Sequence, residues 1–299
     1  MSKLCIIGSS SIVTQHLKAA KAVGFSLYGI TSLNINSKNT LKLKKKFRIK
    51  KIYKNWKRCI EENGKIKDMN FLIAPRIQDT IKVINKVLIY KKPIMVEKPI
   101  SRNIKDFSES ILKSKKIFVG YNRIFYKTVN YLKKNLSPSS LISVNCPEKD
   151  KKKFIDNSCH IISILIYCFG NLRILKKYKR KNHIICILEN KKKTLIHLKI
   201  VFNAPSNFSI TSSSMKRTID LCPIEELTEH KKLKMIRKIN YNFYKPSLTK
   251  KIRDYDINFK PGFYNQYREF KKFSKRNNKI INDIVFARNV LRLTKKLVD

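Results

Sequence analysis

Glycine is scarce in this 299-residue chain, which has only seven. Acidic residues are few as well, 20 Asp and Glu against 67 Lys and Arg. No apolar run approaches the ~18 residues that a membrane-spanning helix needs. The longest, around Ile161–Phe169, is roughly half that, so a spanning helix is excluded. The opening MSKLCIIGSSS holds too short an apolar stretch for a secretory signal and reads instead as a first strand. Seven cysteines, at positions 5, 59, 146, 159, 168, 186 and 222, form no CxxC pair and no metal-ligand spacing. They offer no cysteine metal site, and the odd number among apolar neighbours reads as reduced core thiols in a cytosolic protein. There is no internal repeat and no low-complexity linker.

What is present is ample core material. Hydrophobic residues make up 42% and aromatics 10%, which excludes wholesale disorder. At ~150 residues per domain the length predicts two domains or one large one. The formal net charge of +47 has two readings. A field of that size attracts phosphate and suggests a nucleic-acid binder. However, 53 of the basic residues are Lys and 14 are Arg, Asn and Ile are abundant, and Gly is rare. AT-rich coding produces that composition, and the lysines are scattered with no basic block or RNA-reading motif. The second reading is favoured: no specific nucleic-acid partner and no membrane partner, with a field that still suits an anionic substrate.

The first 120 residues alternate short apolar runs with amphipathic ones. Strands are expected at Leu4–Ile7, Ser26–Ile30, Phe71–Ala74, Ile94–Val96 and Ile117–Val119. Helices are expected at Ser11–Val23, Gln78–Tyr90 and Phe107–Lys113. This alternation predicts a doubly wound parallel sheet with helices on both faces. After residue 122 the texture changes. Helices are expected at Tyr126–Leu136, from about Ser158 to Phe169, at Tyr264–Phe273 and at Asp283–Leu297. Strand-like runs at Leu141–Val144, Leu172–Tyr178, His183–Leu188, Thr194–Phe202, Phe208–Ser212 and Arg217–Leu221 predict an antiparallel sheet in an α+β half. The expected division is 1–122 and 123–299.

Three motifs carry chemistry. In Lys3-Leu-Cys-Ile-Ile-Gly8-Ser9-Ser10-Ser11-Ile12-Val13, a glycine ends a strand before a helix, where a pyrophosphate can approach backbone N–H groups. Of the G-x-G-x-x-G pattern only Gly8 is present; Ser10 and Val13 take the other two places. The second strand ends in Thr31, Ser32 and Leu33, without an acidic residue to grip a ribose hydroxyl, so NAD and NADP both stay open. In Pro93-Ile-Met-Val-Glu97-Lys98-Pro99-Ile100-Ser101, a lysine is held at a strand end by a proline. It sits at the carboxyl edge of the sheet, where it can donate to a substrate hydroxyl or a developing oxyanion. In Asp156-Asn157-Ser158-Cys159-His160, Asp and His four apart share a face of a first helical turn, with Asp156 placed to cap it. An imidazole beside a carboxylate is a proton donor and acceptor for an alcohol; an ordinary cap with a structural histidine is the plainer alternative.

Together these segments resemble the glucose–fructose oxidoreductase / inositol dehydrogenase / rhizopine catabolism (Gfo/Idh/MocA) family. The likeness spans nearly the whole chain. It includes the Gly8 turn, Phe71-Leu-Ile-Ala74-Pro75, Met95-Val-Glu97-Lys98-Pro99 and Val119-Gly120-Tyr121-Asn122-Arg123. It continues through Asp156-x-x-x-His160 up to Gly170, and Gly262-Phe263-x-x-Gln266-x-x-x-Phe270. The resemblance implies an N-terminal Rossmann dinucleotide-binding domain. It also implies a C-terminal α+β domain for substrate binding and oligomerisation, with a large, mostly antiparallel open sheet that forms a homo-oligomer face. It implies an NAD- or NADP-dependent, cytoplasmic oxidoreductase moving a hydride to or from a carbinol carbon of a sugar, cyclitol or nucleotide sugar, with carbohydrate or polysaccharide biosynthesis as one setting. Lys98 would polarise the substrate hydroxyl, His160 would be the acid/base, and Asp156 would orient the site. Gly8, Ser10, Ser11 and Ile12 would line the pyrophosphate, with Ser32 at the end of the second strand. Ala74, Pro75 and Glu97 would lie near the ribose and nicotinamide. No metal is implied. The missing glycines keep a second reading open, a cofactor- or sugar-binding relative without turnover.

Overall fold

In the computed structural model, residues 2–34, 37–276 and 280–299 are described. The chain divides into two compact units, one of residues 1–122 with 256–292 and the other of residues 123–255 with 293–299. Sequence patterns did not anticipate the return of 256–292 to the first unit.

The first unit begins with β1 (Lys3–Ile7), α1 (Val13–Ala22), β2 (Ser26–Thr31), α2 (Lys38–Phe47), β3 (Lys51–Tyr53) and α3 (Trp56–Gly64). It continues with β4 (Met69–Ile73), α4 (Ile77–Leu88), β5 (Ile94–Val96), the short α5 (Glu109–Leu112) and β6 (Ile117–Val119). The strands form one parallel sheet in the order β3-β2-β1-β4-β5-β6. Every residue of β4, β5 and β6 is buried. That is why β5, β6 and the Phe71–Ile73 part of β4 read as apolar runs, with Asn70 the one polar residue: helices cover both faces of such a sheet. Helix α1 buries Val13, His16, Leu17 and Ala20 on one stripe and ends at Gly24, whose φ of 81° suits a C-terminal stop. Helix α3 starts where Asn55 accepts hydrogen bonds from the N–H groups of Lys57 (2.8 Å) and Arg58 (3.3 Å).

The second unit holds α6 (Lys127–Lys134), β7 (Leu141–Glu148), α7 (Lys151–Lys153), a π-helical turn (Phe154–Ser158) and α8 (Cys159–Phe169). Then come β8 (Leu172–Lys179), β9 (His183–Asn190), β10 (Leu195–Phe202), β11 (Ser209–Ser214), β12 (Arg217–Leu221), β13 (Glu226–Arg237) and β14 (Asn242–Arg253). They form an eight-stranded sheet in the order β14-β13-β12-β11-β7-β10-β9-β8. All its pairings are antiparallel except β7 with β10. Alternation is clean in β9 and β10, where Ile184, Cys186, Leu188, Ile196, Leu198 and Ile200 are fully buried. Two helices close the chain, α9 (Phe263–Arg276) and α10 (Ile284–Val298); α9 packs on α1 within the first unit. The fold class expected from sequence, a parallel α/β sheet followed by a mostly antiparallel α+β sheet, is the one observed.

One local expectation is corrected. The helical segment preceding His160 begins at Lys151, and its capping carboxylate is Asp150, which accepts a hydrogen bond from the Lys153 N–H at 2.8 Å. Asp156 lies inside the π-helical turn and is not the cap. The sequence patterns assigned no element between Leu221 and Tyr264, where β13 and β14 form a long hairpin.

Candidate functional site

Strand order places β1 beside both β2 and β4, so the first unit's sheet reverses direction of growth at β1. In open α/β sheets, ligands bind at the carboxyl ends of the strands at such a reversal. A cleft of 680 Å³ lies there, within the usual ~300–1,000 Å³ of small-molecule sites. Its lining comes from the turns after β1 (Gly8, Ser9, Ser10), β2 (Ser32, Leu33, Asn34, Ser37) and β4 (Ala74, Pro75, Arg76), with Trp56, Asp79 and Lys82 beyond them. Five residues singled out from sequence, Gly8, Ser10, Ser32, Ala74 and Pro75, are thus brought to one cleft. Trp56, Arg76 and Lys82 were not foreseen; Lys82 stands over the Trp56 ring at 5.7 Å.

Gly8 explains the shape of the cleft. Its N–H donates to Thr31 O (2.9 Å), while Ala74 N–H donates to Ile7 O (2.8 Å), so the β1 and β4 ends are drawn together. Gly8 has φ +125°, and a Cβ there would stand 2.1 Å from the Ala74 carbonyl oxygen. Only glycine fits. Past it, Ser10 and Ser11 carbonyls accept from Val13 and Thr14, and the turn runs into α1 with Ile12 as its N-cap. Among the described residues, the N–H groups of Ser10, Ser11 and Ile12 have no backbone acceptor. Unsatisfied donors at a helix N-terminus form an anion-binding end. Ser9 Oγ hydrogen-bonds Ser37 Oγ at 2.8 Å, and Asn39 donates to the Ser9 carbonyl, tying this turn to the start of α2. A dinucleotide pyrophosphate fits this cradle: a close backbone approach, N–H donors without a backbone acceptor at a helix start, and no carboxylate among the three turns.

Glu97 and Lys98 follow β5. Glu97 N–H donates to Ile73 O (2.9 Å), and the Lys98–Pro99 peptide is cis. Both side chains are half-buried. Glu97 Oε1 accepts a 2.6 Å hydrogen bond from His16 Nε2, and His16 Nδ1 lies 3.0 Å from Tyr267 Oη. Burial, and the Glu97 charge nearby, hold the Tyr267 hydroxyl well above its ordinary pKa, so it stays a proton donor. Nothing local in the sequence marks the partners of His16, 81 and 251 residues away.

In the second unit, His160 is the second residue of α8 and is 8% exposed; its carbonyl accepts from Ser163 Oγ at 2.7 Å. Asp156 lies one turn earlier, and its carbonyl accepts a 3.4 Å contact from Cys159 Sγ. The carboxylate that organises this turn is Glu148, at the end of β7. Its Oε2 accepts from Asn157 Nδ2 (3.0 Å) and Ser158 Oγ (2.8 Å), and its Oε1 from Lys149 N–H (2.9 Å). Sequence reading missed Glu148, whose only local mark is that it ends a strand. Burial pushes the nearby Cys146 thiol up to about 12, so it is an inert core thiol. Arg123 stacks over the Phe208 ring at 5.3 Å, with its Nη1 buried and lacking a hydrogen-bond partner among the described residues. Among the described residues no cluster of His, Cys, Asp or Glu could hold a metal ion. No helix among them is long and apolar enough to cross a membrane.

No protein-family model matches the sequence, and no curated protein matches it. Solved structures do. A dehydrogenase from Clostridium difficile superposes with a TM-score of 0.76 at 16% identity, over 99% of this chain and 98% of that one. Levoglucosan dehydrogenase in complex with NADH and levoglucosan gives 0.77 at 11% identity, over 99% and 96%. A dehydrogenase from Chromobacterium violaceum gives 0.78 at 11%, over 99% and 94%. At such identities the likeness shows the fold, and it is the two-sheet architecture that the Gfo/Idh/MocA resemblance implies.

Proposed function

We propose that the chain is an NAD(P)-dependent oxidoreductase acting on a secondary alcohol of a sugar-type small molecule. The observation that carries this is the cleft at the β1 turn. Gly8 permits the approach of two strand ends, the N–H groups of Ser10, Ser11 and Ile12 at the start of α1 have no backbone acceptor among the described residues, and the lining is hydroxylic, with two cations and one acid. The solved complex of levoglucosan dehydrogenase with NADH and a sugar, on the same fold, supports the reading.

When bound, the nicotinamide supplies or accepts the hydride. The chain's own residues do the rest. The N–H groups of Ser10, Ser11 and Ile12 hold the pyrophosphate, and the hydroxyls of Ser32 and Ser37 face the adenosine ribose. Ala74 and Pro75 wall the cleft. Lys98 donates to the substrate oxygen and stabilises charge developing on it. His160 takes the alcohol proton during oxidation and returns it during reduction, with Asp156 as its orienting neighbour. Glu97 accepts from the nicotinamide-side ribose. All seven cysteines are free thiols, which supports a cytoplasmic setting.

The test is a dehydrogenase assay over a sugar, cyclitol and nucleotide-sugar panel with both dinucleotides. Lys98→Ala and His160→Ala should each lower kcat about 100-fold or more, the usual effect of losing a general acid/base or an oxyanion donor. Full turnover in both variants would overturn the role assignment. The second reading, binding without turnover, is favoured only by Ser10 and Val13 in the glycine places; dinucleotide binding with no oxidised or reduced product across the panel would establish it.

A further inference from the structure

Three elements far apart in sequence meet behind the β5 end, all within the first unit. They are His16 from α1, Glu97 from the turn after β5, and Tyr267 from α9. His16 is fully buried, with Phe263 (5.0 Å between centroids) and Tyr267 (5.6 Å) edge-on to its ring. Its neighbours on the α1 stripe, Val13, Leu17 and Ala20, are apolar. An aliphatic side chain would suit that stripe as well, and burying an imidazole there carries a desolvation cost. What the imidazole adds is two nitrogens, and both are used. In the neutral ring, Nε2–H donates to the Glu97 carboxylate, which leaves Nδ1 as the acceptor of the Tyr267 hydroxyl proton. Gly120 leaves room for the carboxylate: a Cβ there would stand 3.2 Å from Glu97 Oε1. The carboxylate is therefore fixed from behind, while its side chain keeps 17% of its surface open.

We propose that Tyr267, His16 and Glu97 form a hydrogen-bonded relay that sets the Glu97 carboxylate as acceptor for the nicotinamide-riboside half of the dinucleotide, with His16 and Tyr267 as positioning residues. The proposal rests on the dinucleotide reading above. It also links two parts of the cofactor site mechanically. The helix whose first turn faces the pyrophosphate carries, one turn further on, the residue that fixes the acceptor next to Lys98. Losing His16 would then loosen the nicotinamide end of the ligand and leave the adenosine end as it was.

Titration of the full chain with NADH, NADPH and ADP separates these effects. Trp56, the single tryptophan, lines the cleft and reports occupancy by its emission, while the emission of bound NADH reports the surroundings of the nicotinamide. His16→Leu should weaken NADH and NADPH by about tenfold to a hundredfold, the cost of removing a charge-assisted hydrogen bond, and leave ADP unchanged. The bound-NADH emission should shift toward that of free NADH. His16→Gln, which restores a donor to Glu97, should return the affinity to within about threefold of wild type, and the isosteric Tyr267→Phe should lose about threefold. Phe273→Leu, which thins the same aromatic cluster away from the relay, should lower the Tm with no change in binding. Equal weakening of NADH and ADP by His16→Leu, or no weakening of either, would overturn the relay alone. A wild-type chain that binds neither NADH, NADPH nor ADP would overturn the dinucleotide reading and the relay with it.

Discussion

Replacing Gly8 by alanine tests the shape of the cleft at its narrowest point. Two costs add. The backbone sits at φ +125°, where an L side chain is strained, by about 1–3 kcal/mol. The new Cβ would overlap the Ala74 carbonyl oxygen at 2.1 Å and the carbonyl carbon at 2.4 Å. These are backbone atoms pinned by Ala74 N–H to Ile7 O and cannot rotate away. Overpacking of this kind costs a further ~1–3 kcal/mol. The sum, about 2–6 kcal/mol, is a large part of the ~5–15 kcal/mol that holds a folded protein together. At roughly 2–4 °C per kcal/mol for a domain of this size, the Tm should fall by about 5–20 °C. Relief of the overlap requires the β1 and β4 ends to part, so NADH affinity should fall too. Gly170→Ala is the control. Gly170 has φ +77° and ψ −156°, a conformation essentially confined to glycine, but nothing within 4 Å of a Cβ, so only the backbone cost, about 1–3 kcal/mol, applies. Thermal melts followed by circular dichroism, with NADH titration by Trp56 emission, measure both variants. If Gly8→Ala melts no lower than Gly170→Ala and binds NADH like wild type, the close-approach argument is refuted.

Two further outcomes follow from the geometry. Ser32 lines the cleft at the end of β2, where an acidic residue would bind a ribose 2′-hydroxyl and repel a 2′-phosphate; Ser32→Asp should move the NADH-to-NADPH affinity ratio toward NADH by about tenfold, and an unchanged ratio in parallel titrations would place the adenosine ribose elsewhere. On the β13–β14 hairpin, pairing puts Leu233 opposite Pro246 and Met235 opposite Tyr244 on one face, and Leu233, Met235 and Tyr244 are 64%, 44% and 67% exposed. If that face joins copies of the chain, Leu233→Lys combined with Tyr244→Lys should lower the mass measured by light scattering, and an oligomer of undiminished mass would place the interface elsewhere.

Some of this protein was determined by the sequence on its own. Strands β1 from Leu4, β4 from Phe71, β5 and β6 are buried on both faces, so each shows as a short apolar run, and helices α1 and α4 show a 3.6-residue stripe. Gly8 is legible because backbone geometry is a local demand that one residue type meets. Helix α2 was not read: seven of its ten residues, KNTLKLKKKF, are polar, and it buries three side chains. The β13–β14 hairpin was not read either, because it is held by its ladder of backbone hydrogen bonds and leaves most side chains in solvent, so it has no alternation to detect. Tertiary structure alone decided what meets what. It brought His16 to Glu97 and Tyr267, set Glu148 under Asn157 and Ser158, and returned residues 256–292 to the first unit. The physical reason is that periodicity records which face of an element is buried. The choice of partner across hundreds of residues depends on how the buried faces pack, and no local pattern encodes that.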